Sequence, residues 1–165
     1  YENTALPIGQ SQTISQPWIV ARMTEAILDG GEPEKVLEVG TGSGYQAAIL
    51  SHLVPTVFTV ERIEELLKLA RRRFHNLRLN NIYVRYADGH SGWPSQAPFD
   101  GIMVTAVAKS IPQELLQQLR TGGLLVLPVE RAGQQRLITV RRTEDGFAET
   151  DLGAVVFVPL LSGLA

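Results

Sequence analysis

A run of glycines at the end of a short apolar segment is the part of this sequence best suited to chemistry. Residues 36–44 read Val-Leu-Glu-Val-Gly-Thr-Gly-Ser-Gly. The pattern predicts a buried strand that leads into a glycine turn and then a helix over 45–54. Glycine allows positive φ and close approach of a ligand, and the first N–H groups of a helix are free to bind a polar group. We expect a nucleotide-type cofactor here; the alternative is a tight turn in an ordinary strand–helix unit.

The glycine spacing and one acidic residue narrow the choice of cofactor. The turn reads G-x-G-x-G, whereas dinucleotide enzymes use G-x-G-x-x-G. Glu38 stands two positions before the first glycine, where a carboxylate would repel a pyrophosphate. S-adenosylmethionine has no phosphate, and its methionine end carries an ammonium group that an acid could favour. The string resembles the first motif of class I S-adenosylmethionine methyltransferases. The cofactor residues that this resemblance implies are Glu38, Gly40, Thr41, Gly42, Ser43 and Gly44.

A second acidic residue supports this interpretation. The β-branched run at 56–60 predicts a strand, and Glu61 follows it, 23 positions after Glu38. An acid about 20 residues beyond the glycine turn is placed to accept both hydroxyls of a ribose. The alternative is a solvated glutamate at the start of a helix over 63–77. We assign Glu61 and its neighbour Arg62 to the cofactor site.

An Asp-Gly pair follows the third predicted strand, over 82–86. By itself Asp88-Gly89 is only a turn pair. It comes, however, in the expected order after the glycine turn and Glu61. The methyltransferase resemblance implies that Asp88 and Gly89 contact the adenine side of the cofactor.

The loop before the first helix points to the methyl acceptor. Residues 6–17 read Leu-Pro-Ile-Gly-Gln-Ser-Gln-Thr-Ile-Ser-Gln-Pro, too rich in hydroxyl and amide groups for a core. The loop closely resembles the G-x-x-T-I-S-x-P loop of the protein-L-isoaspartate O-methyltransferase family. Further matches at 36–46, 60–63, 97–100, 122–129 and 156–160 extend the resemblance over essentially the whole chain. Two departures are the lack of the family's N-terminal helical segment and the atypical loop Ala-Val-Ala-Lys at 106–109.

The resemblance implies roles for residues at both ends of the chain. Ser15 becomes the catalytic residue that orients the acceptor carboxylate, and the alternative is that it caps the following helix. Thr13 and Ile14 join the cofactor site. The substrate site combines Thr13 with Val158, Pro159 and Leu160, which stand near the end of the chain.

The implied reaction is methyl transfer from S-adenosylmethionine to the free α-carboxylate of L-isoaspartyl residues in damaged proteins and peptides. That carboxylate is already ionised at neutral pH, with an ordinary pKa of about 3–4. Attack on a sulfonium methyl therefore needs no strong general base, and catalysis rests on positioning and desolvation. The ester would then collapse to a succinimide and reopen partly to normal aspartate, a repair cycle that the family implies.

Composition sets the outer bounds. The 165 residues suit a single domain over 1–165, and a net charge of −2 gives no nucleic-acid footprint. The chain has no cysteine, its three histidines lack metal-ligand spacing, and it has no apolar run of transmembrane length or secretory signal. We expect a cytoplasmic protein with no metal, nucleic-acid or membrane partner. The basic run 71–73 is interpreted as a solvated helix face.

Two other functions stay open. One is a class I methyltransferase that acts on a small molecule or RNA, although the sequence shows no base-stacking aromatic motif or basic channel. The other is a module that binds the cofactor without turnover.

The order of elements predicts the fold class. Helices are expected over 17–28, 45–54, 63–77 and 112–119, and strands over 35–40, 56–60, 82–86, 99–105, 124–129, 136–142 and 149–158. This alternation is typical of an α/β fold with a doubly wound, mostly parallel, Rossmann-like sheet flanked by helices. The last two strands have no helix between them, so we expect an antiparallel hairpin at the C-terminal edge.

Overall fold

The computed structural model describes residue 4, residues 6–9 and 12–14, and residues 16–165. A hairpin comes first, made of β1 (Leu6–Gly9) and β2 (Gln12–Ile14). The helices are α1 (Pro17–Leu28), α2 (Tyr45–Ser51), α3 (Glu64–Asn76) and α4 (Gln113–Gln117). The other strands are β3 (Lys35–Val39), β4 (Thr56–Glu61), β5 (Ile82–Tyr86), β6 (Phe99–Val104), β7 (Leu119–Arg131), β8 (Gln134–Arg142) and β9 (Phe147–Ala154). Two 3₁₀ turns, Gly89–Ser91 and Pro94–Gln96, lie between β5 and β6.

Strands β3–β9 form one sheet in the order β5-β4-β3-β6-β7-β8-β9. The strands from β5 to β7 are parallel to their neighbours. Strands β8 and β9 are antiparallel because only short turns join them to the strand before. The predicted fold is confirmed: a mostly parallel Rossmann-like sheet that ends in an antiparallel hairpin.

Both faces of the sheet are covered by apolar layers. Val36 and Met103 belong to one buried cluster, together with residues of α1, α2 and α3. Leu37 and Ile102 belong to the other, together with Leu115 of α4. Adjacent strand residues alternate between the faces, so a central parallel strand is apolar on both sides. This explains why β3 and β6 read as nearly continuous apolar runs.

The observed bounds follow the predictions closely at the N-terminal half and less closely beyond it. Helix α1 has the predicted bounds, but α2 ends at Ser51 and not at residue 54. Helix α4 is shorter than the predicted 112–119 because Leu119 pairs with Phe99 and already belongs to β7. Strand β7 begins at Leu119 and not at residue 124 as predicted, so Gly122 and Gly123 lie within it, where its register with β6 shifts.

The polar loop predicted over residues 6–17 contains a short antiparallel hairpin. Leu6 pairs with Ile14 and Pro7 with Thr13. This hairpin was not predicted, because strands of only four and three residues are too short to show a periodic pattern. Ile8 of this hairpin faces the glycine turn, with its Cδ1 3.5 Å from where a Cβ on Gly42 would lie.

The last strand is shorter than predicted. Strand β9 ends at Ala154, and the predicted extension over 155–158 is irregular. Here the side chain of Gln135 replaces the strand partner: Phe157 N donates to Gln135 Oε1 at 2.6 Å. The chain then leaves the sheet edge and reaches Val107, just beyond β6, where Val107 N donates to Val158 O at 2.8 Å. This path brings the C-terminal segment to the carboxyl ends of the parallel strands.

Among the helices that the structure describes, none has the length and apolar character needed to cross a membrane.

Candidate functional site

A cavity lies at the carboxyl ends of β3 and β4, where the strand order reverses between β3 and β6. Such a reversal is where open α/β sheets bind ligands. The cavity joins the glycine turn, both predicted acids and the C-terminal segment. The predicted site residues that line it are Glu38, Gly40, Thr41, Gly42, Ser43, Glu61, Arg62, Gly89, Val158, Pro159 and Leu160.

The glycine turn is anchored to both neighbouring strands. Gly40 N and Thr41 N donate to Val60 O at 2.9 and 3.2 Å, which fixes the turn against β4. On the other side Thr105 Oγ1 lies 2.8 Å from Gly40 O and donates to it. Gly40 has φ +98, and a Cβ there would collide with the Thr105 hydroxyl. Only glycine satisfies both the backbone conformation and this close approach.

Glu61 joins the second strand to the turn. Its side chain is only 6% exposed. Gly42 N donates to Oε2 at 2.8 Å and Ile63 N donates to Oε1 at 3.0 Å. A carboxylate offers about four acceptor positions, so the two oxygens keep capacity for the hydroxyl groups of a ligand. Glu61 is therefore a cavity residue tied to the glycine turn, and not a solvated glutamate at the start of α3.

Glu38 is fully buried at the end of β3, with 0% of its surface exposed. Thr59 Oγ1 donates to Glu38 Oε1 at 2.6 Å, and Thr41 Oγ1 lies 2.6 Å from the same Thr59 hydroxyl. Because Thr59 has one proton to donate, Thr41 must donate to Thr59. Glu38 Oε2 is buried and has no hydrogen-bond partner among the described residues.

Burial raises the pKa of Glu38 to about 8. The hydrogen bond from Thr59 acts in the opposite direction, and the negative charge of Glu61 adds to the rise. The Glu38 carboxyl in the protein alone is therefore largely protonated at neutral pH.

Asp88 is engaged by its own chain. His90 N donates to Oδ1 at 2.9 Å and Gly163 N donates to Oδ2 at 2.7 Å. Burial alone would raise the pKa of Asp88, but the hydrogen bonds from Gly163 and His90 outweigh it and hold the pKa below the usual value. Arg62 Nε donates to Gly163 O at 2.9 Å. Asp88 thus holds the C-terminal segment beside the cavity, and its neighbour Gly89 forms part of the wall.

Four further residues were predicted for the site. Ser15 lies outside the described residues. Thr13 and Ile14 belong to β2. Gly44 lies outside the cavity lining and is the N-cap of α2, with φ +88. A Cβ on Gly44 would lie 2.7 Å from the Phe74 ring, so this glycine allows α3 to pack closely.

Several residues of the cavity wall were not predicted. Val20 and Met23 come from α1. Tyr45 and Gln46 come from the first turn of α2, and Thr105 follows β6. The position of Thr105 at the end of a predicted central strand was the one available signal, because the ends of parallel strands meet at a common edge.

The basic run was interpreted as a solvated helix face, and Arg73 is indeed exposed. Its Nη1 nevertheless donates to Ser43 O at 2.8 Å. One arginine of the run therefore links α3 to the glycine turn.

The chain is similar to known proteins in both sequence and structure. The family model described as protein-L-isoaspartate (D-aspartate) O-methyltransferase matches residues 1–165, the whole chain. The chain belongs to this family. A family member from Halorhodospira halophila is 56% identical over 163 residues, which cover 99% of this chain and 74% of the relative. Family members from Pseudomonas fluorescens and Shewanella halifaxensis are 58% and 59% identical, and the matches cover 77% and 76% of their lengths.

Solved structures agree with the fold. A protein-L-isoaspartate O-methyltransferase has a TM-score of 0.89 at 27% identity, covering 100% of this chain and 55% of that one. A Plasmodium falciparum protein assigned to the same activity, solved in complex with S-adenosyl-L-homocysteine, has a TM-score of 0.88 at 24% identity. That match covers 98% of this chain and 81% of the other.

Family membership identifies the activity. The chain is an S-adenosylmethionine-dependent protein-L-isoaspartate O-methyltransferase, which starts repair by methylating isoaspartyl residues of proteins and peptides. Within the described part of the chain, no group of three or more His, Cys, Asp or Glu residues could hold a metal ion.

Proposed function

We propose that the cavity at the carboxyl ends of β3 and β4 binds S-adenosylmethionine, with Glu61 at the ribose and Glu38 at the methionine end. When bound, the cofactor supplies an electrophilic methyl group on a positively charged sulfur. The observation that carries the proposal is that one cavity wall holds the glycine turn, Glu61 and Glu38, whose buried Oε2 has no hydrogen-bond partner among the described residues. An unpaired buried polar atom is costly unless a ligand or water satisfies it.

Glu61 has the geometry of a ribose acceptor. Two backbone N–H groups fix its carboxylate, one from the turn and one from the start of α3. Its orientation is thus set before a ligand arrives, and this lowers the entropy cost of binding. Arg62 and Gly89 lie in the same wall and would border the adenosine.

The acceptor side of the site involves the segment after β2 and the segment 158–160. Gln16 is the N-cap of α1, and its side chain makes no capping hydrogen bond. Because the cap position belongs to Gln16, the helix-cap alternative for Ser15 loses support. We propose that Ser15 orients the isoaspartyl carboxylate as a neutral hydroxyl donor, with Thr13 beside it.

The segment 158–160 contributes a wall and not free backbone groups. Val107 N donates to Val158 O, and Leu160 N donates to Val107 O, both at 2.8 Å. These two backbone groups are therefore not free to bind a peptide as the open edge of a strand would. We propose that Pro159 and Leu160 act through apolar contact.

We also propose that the enzyme acts in the cytoplasm and on protein and peptide substrates alone, without a nucleic-acid, membrane or metal partner. The support is compositional: a formal net charge of −2 and a charged fraction of 19% give no polybasic surface.

The Glu61→Ala variant tests the cofactor site. Loss of a charged acceptor for two hydroxyl groups should weaken S-adenosylmethionine binding by about 1.5–3 kcal/mol, measured by titration calorimetry. Glu65→Ala is the matched control, since Glu65 is exposed on the next turn of the chain and lies outside the cavity lining. Unchanged affinity in Glu61→Ala would show that the ribose assignment is wrong.

A further inference from the structure

Among the described residues, the hydrogen-bond network around Glu38 carries no positive charge that would compensate an ionised carboxylate. Its Oε1 accepts from Thr59, which in turn accepts from Thr41 of the glycine turn. Its Oε2 has no partner among the described residues although it belongs to a cavity-lining side chain. A buried carboxyl with one satisfied oxygen and one unsatisfied oxygen is poised between its neutral and its ionised form.

The charged and titratable groups around Glu38 favour the neutral form in the protein alone. Glu61 of β4 contributes a negative charge. Arg62 lines the same cavity, but its Nε is bonded to Gly163 O. Tyr45 is the titratable group that α2 adds to the wall. From α1 come Val20 and Met23, which are apolar.

No ion pair compensates a charge on Glu38. Within the described residues the salt bridges are Arg22–Glu25, Lys68–Glu64, His90–Asp88, Arg120–Asp100, Arg131–Glu149 and Arg136–Asp151. None of them includes Glu38, so its carboxyl depends on hydroxyl groups alone.

A cationic ligand reverses this balance. S-adenosylmethionine carries a sulfonium and an ammonium, and an opposite charge within about 4–6 Å favours the ionised carboxylate. We propose that Glu38 is neutral in the protein alone and releases its proton when the cationic cofactor binds, so that cofactor binding and Glu38 ionisation are one coupled step. The inference rests on the proposed cofactor site and goes beyond it.

Thr59 is the positioning residue of this step. An ionised Glu38 accepts a hydrogen bond from the Thr59 hydroxyl, and Thr59 accepts one from the Thr41 hydroxyl. The hydrogen bonds from the strand and the turn are thus both directed toward the carboxylate. The charge on Glu38 is thereby linked to the conformation of Thr41, whose backbone N–H is bonded to Val60 O. Ionisation of Glu38 would tighten the glycine turn around the ligand.

Calorimetry in buffers of different ionisation enthalpy counts the protons directly. At pH 7 a group with a pKa of about 8 is about nine-tenths protonated, so binding should release close to one proton per cofactor from Glu38. The ammonium of the cofactor also titrates near this pH, so the measured quantity is the difference between the parent and Glu38→Gln. Glutamine keeps the shape and removes the titration.

A second ligand and a pH series give an independent test. Affinity for S-adenosylmethionine should rise up to about tenfold per pH unit below pH 8, and above it the affinity should stop rising and then fall as the cofactor ammonium loses its own proton. Affinity for 5′-methylthioadenosine, which lacks both the ammonium and the sulfonium, should stay flat. In Thr59→Val the rise should shift to higher pH because the ionised form loses its donor, and Thr59→Ser should restore the parent profile.

Failure of the proton coupling and failure of the cofactor site give different results. Tight binding of S-adenosylmethionine with the same proton count in the parent and Glu38→Gln would overturn the coupling and leave the site intact. It would mean that Glu38 keeps the same protonation state before and after the cofactor binds. A complete failure to bind S-adenosylmethionine would instead overturn the site on which the coupling rests.

Discussion

Glu38 should leave a measurable trace on the stability of the protein alone. Its pKa is about 8 in the folded state, against an ordinary value of 4.5 for a glutamate exposed to water. A raised folded pKa stabilises the fold fully below pH 4.5, and this stabilisation is lost as the pH rises to about 8. The free energy of unfolding should therefore fall across that window by a few kcal/mol through this one group.

The Glu38→Gln variant isolates the effect. Urea unfolding at pH 5, 7 and 8.5 measures the free energy of unfolding of the variant and the parent. Because glutamine does not ionise, the free energy of unfolding of the variant should increase relative to that of the parent as the pH rises. Glu65→Gln, which changes an exposed glutamate, should differ from the parent by a constant amount. If Glu38→Gln also runs parallel to the parent, Glu38 is ionised throughout and its burial has been misjudged.

Ser15 is the residue on which acceptor chemistry is expected to depend. Ser15→Ala should lower the methylation rate of an isoaspartyl peptide on the order of 100- to 1,000-fold, as loss of one preorganised hydrogen-bond donor does. A lost helix cap would cost only about 0.5–2 kcal/mol of stability. Ser110→Ala serves as the hydroxyl-removal control, since Ser110 is exposed and outside the cavity lining. A Ser15→Ala protein that melts lower but keeps the parent rate would reduce Ser15 to a cap.

The regularly spaced glycines of the turn have two different functions. Gly40 and Gly42 lie in the cavity wall, whereas Gly44 begins α2 and lets α3 approach. The helix α3 is then fastened to the turn by Arg73, which donates to Ser43 O. The turn is thus held by β4, β6 and α3 together.

This division predicts different costs for two alanine substitutions. Gly44→Ala adds both a strained positive φ and a collision with Phe74, and it should cost about 2–4 kcal/mol of stability. Gly42→Ala also has a positive φ, but the nearest atom, Ile8 Cδ1, is 3.5 Å away. It should cost about 1 kcal/mol. Chemical denaturation of both variants measures the difference, and equal losses would contradict the packing role of Gly44.

The same elements show how far the sequence could predict the structure. The glycine turn and Glu61 were predictable because both come at the ends of strands with clear β-branched runs, and parallel strands bring their ends together. The role of Gln135 was not predictable, because its side chain takes the place of a backbone strand partner for Phe157, which lies more than 20 positions further along the chain. The place of Met23 in the cavity wall was not predictable either, because local periodicity does not distinguish a core wall from a cavity wall.

For the molecule as a whole, the C-terminal segment connects the sheet edge to the active cavity. It leaves β9, pairs with Val107, and then bonds to Asp88 and Arg62 through Gly163. Its Leu160 lies in the cavity wall. This path brings residues that are distant in sequence to one cavity.

Repair depends on the ability of the enzyme to recognise the misplaced carboxylate of an isoaspartyl residue. The most direct measurement is transfer of a labelled methyl group from S-adenosylmethionine to an isoaspartyl peptide, beside a peptide of the same sequence with an ordinary aspartyl residue. We expect methylation of the isoaspartyl peptide at a rate far above that of its aspartyl twin. Equal methylation of the two peptides would contradict the account, because discrimination of that carboxylate is the basis of repair.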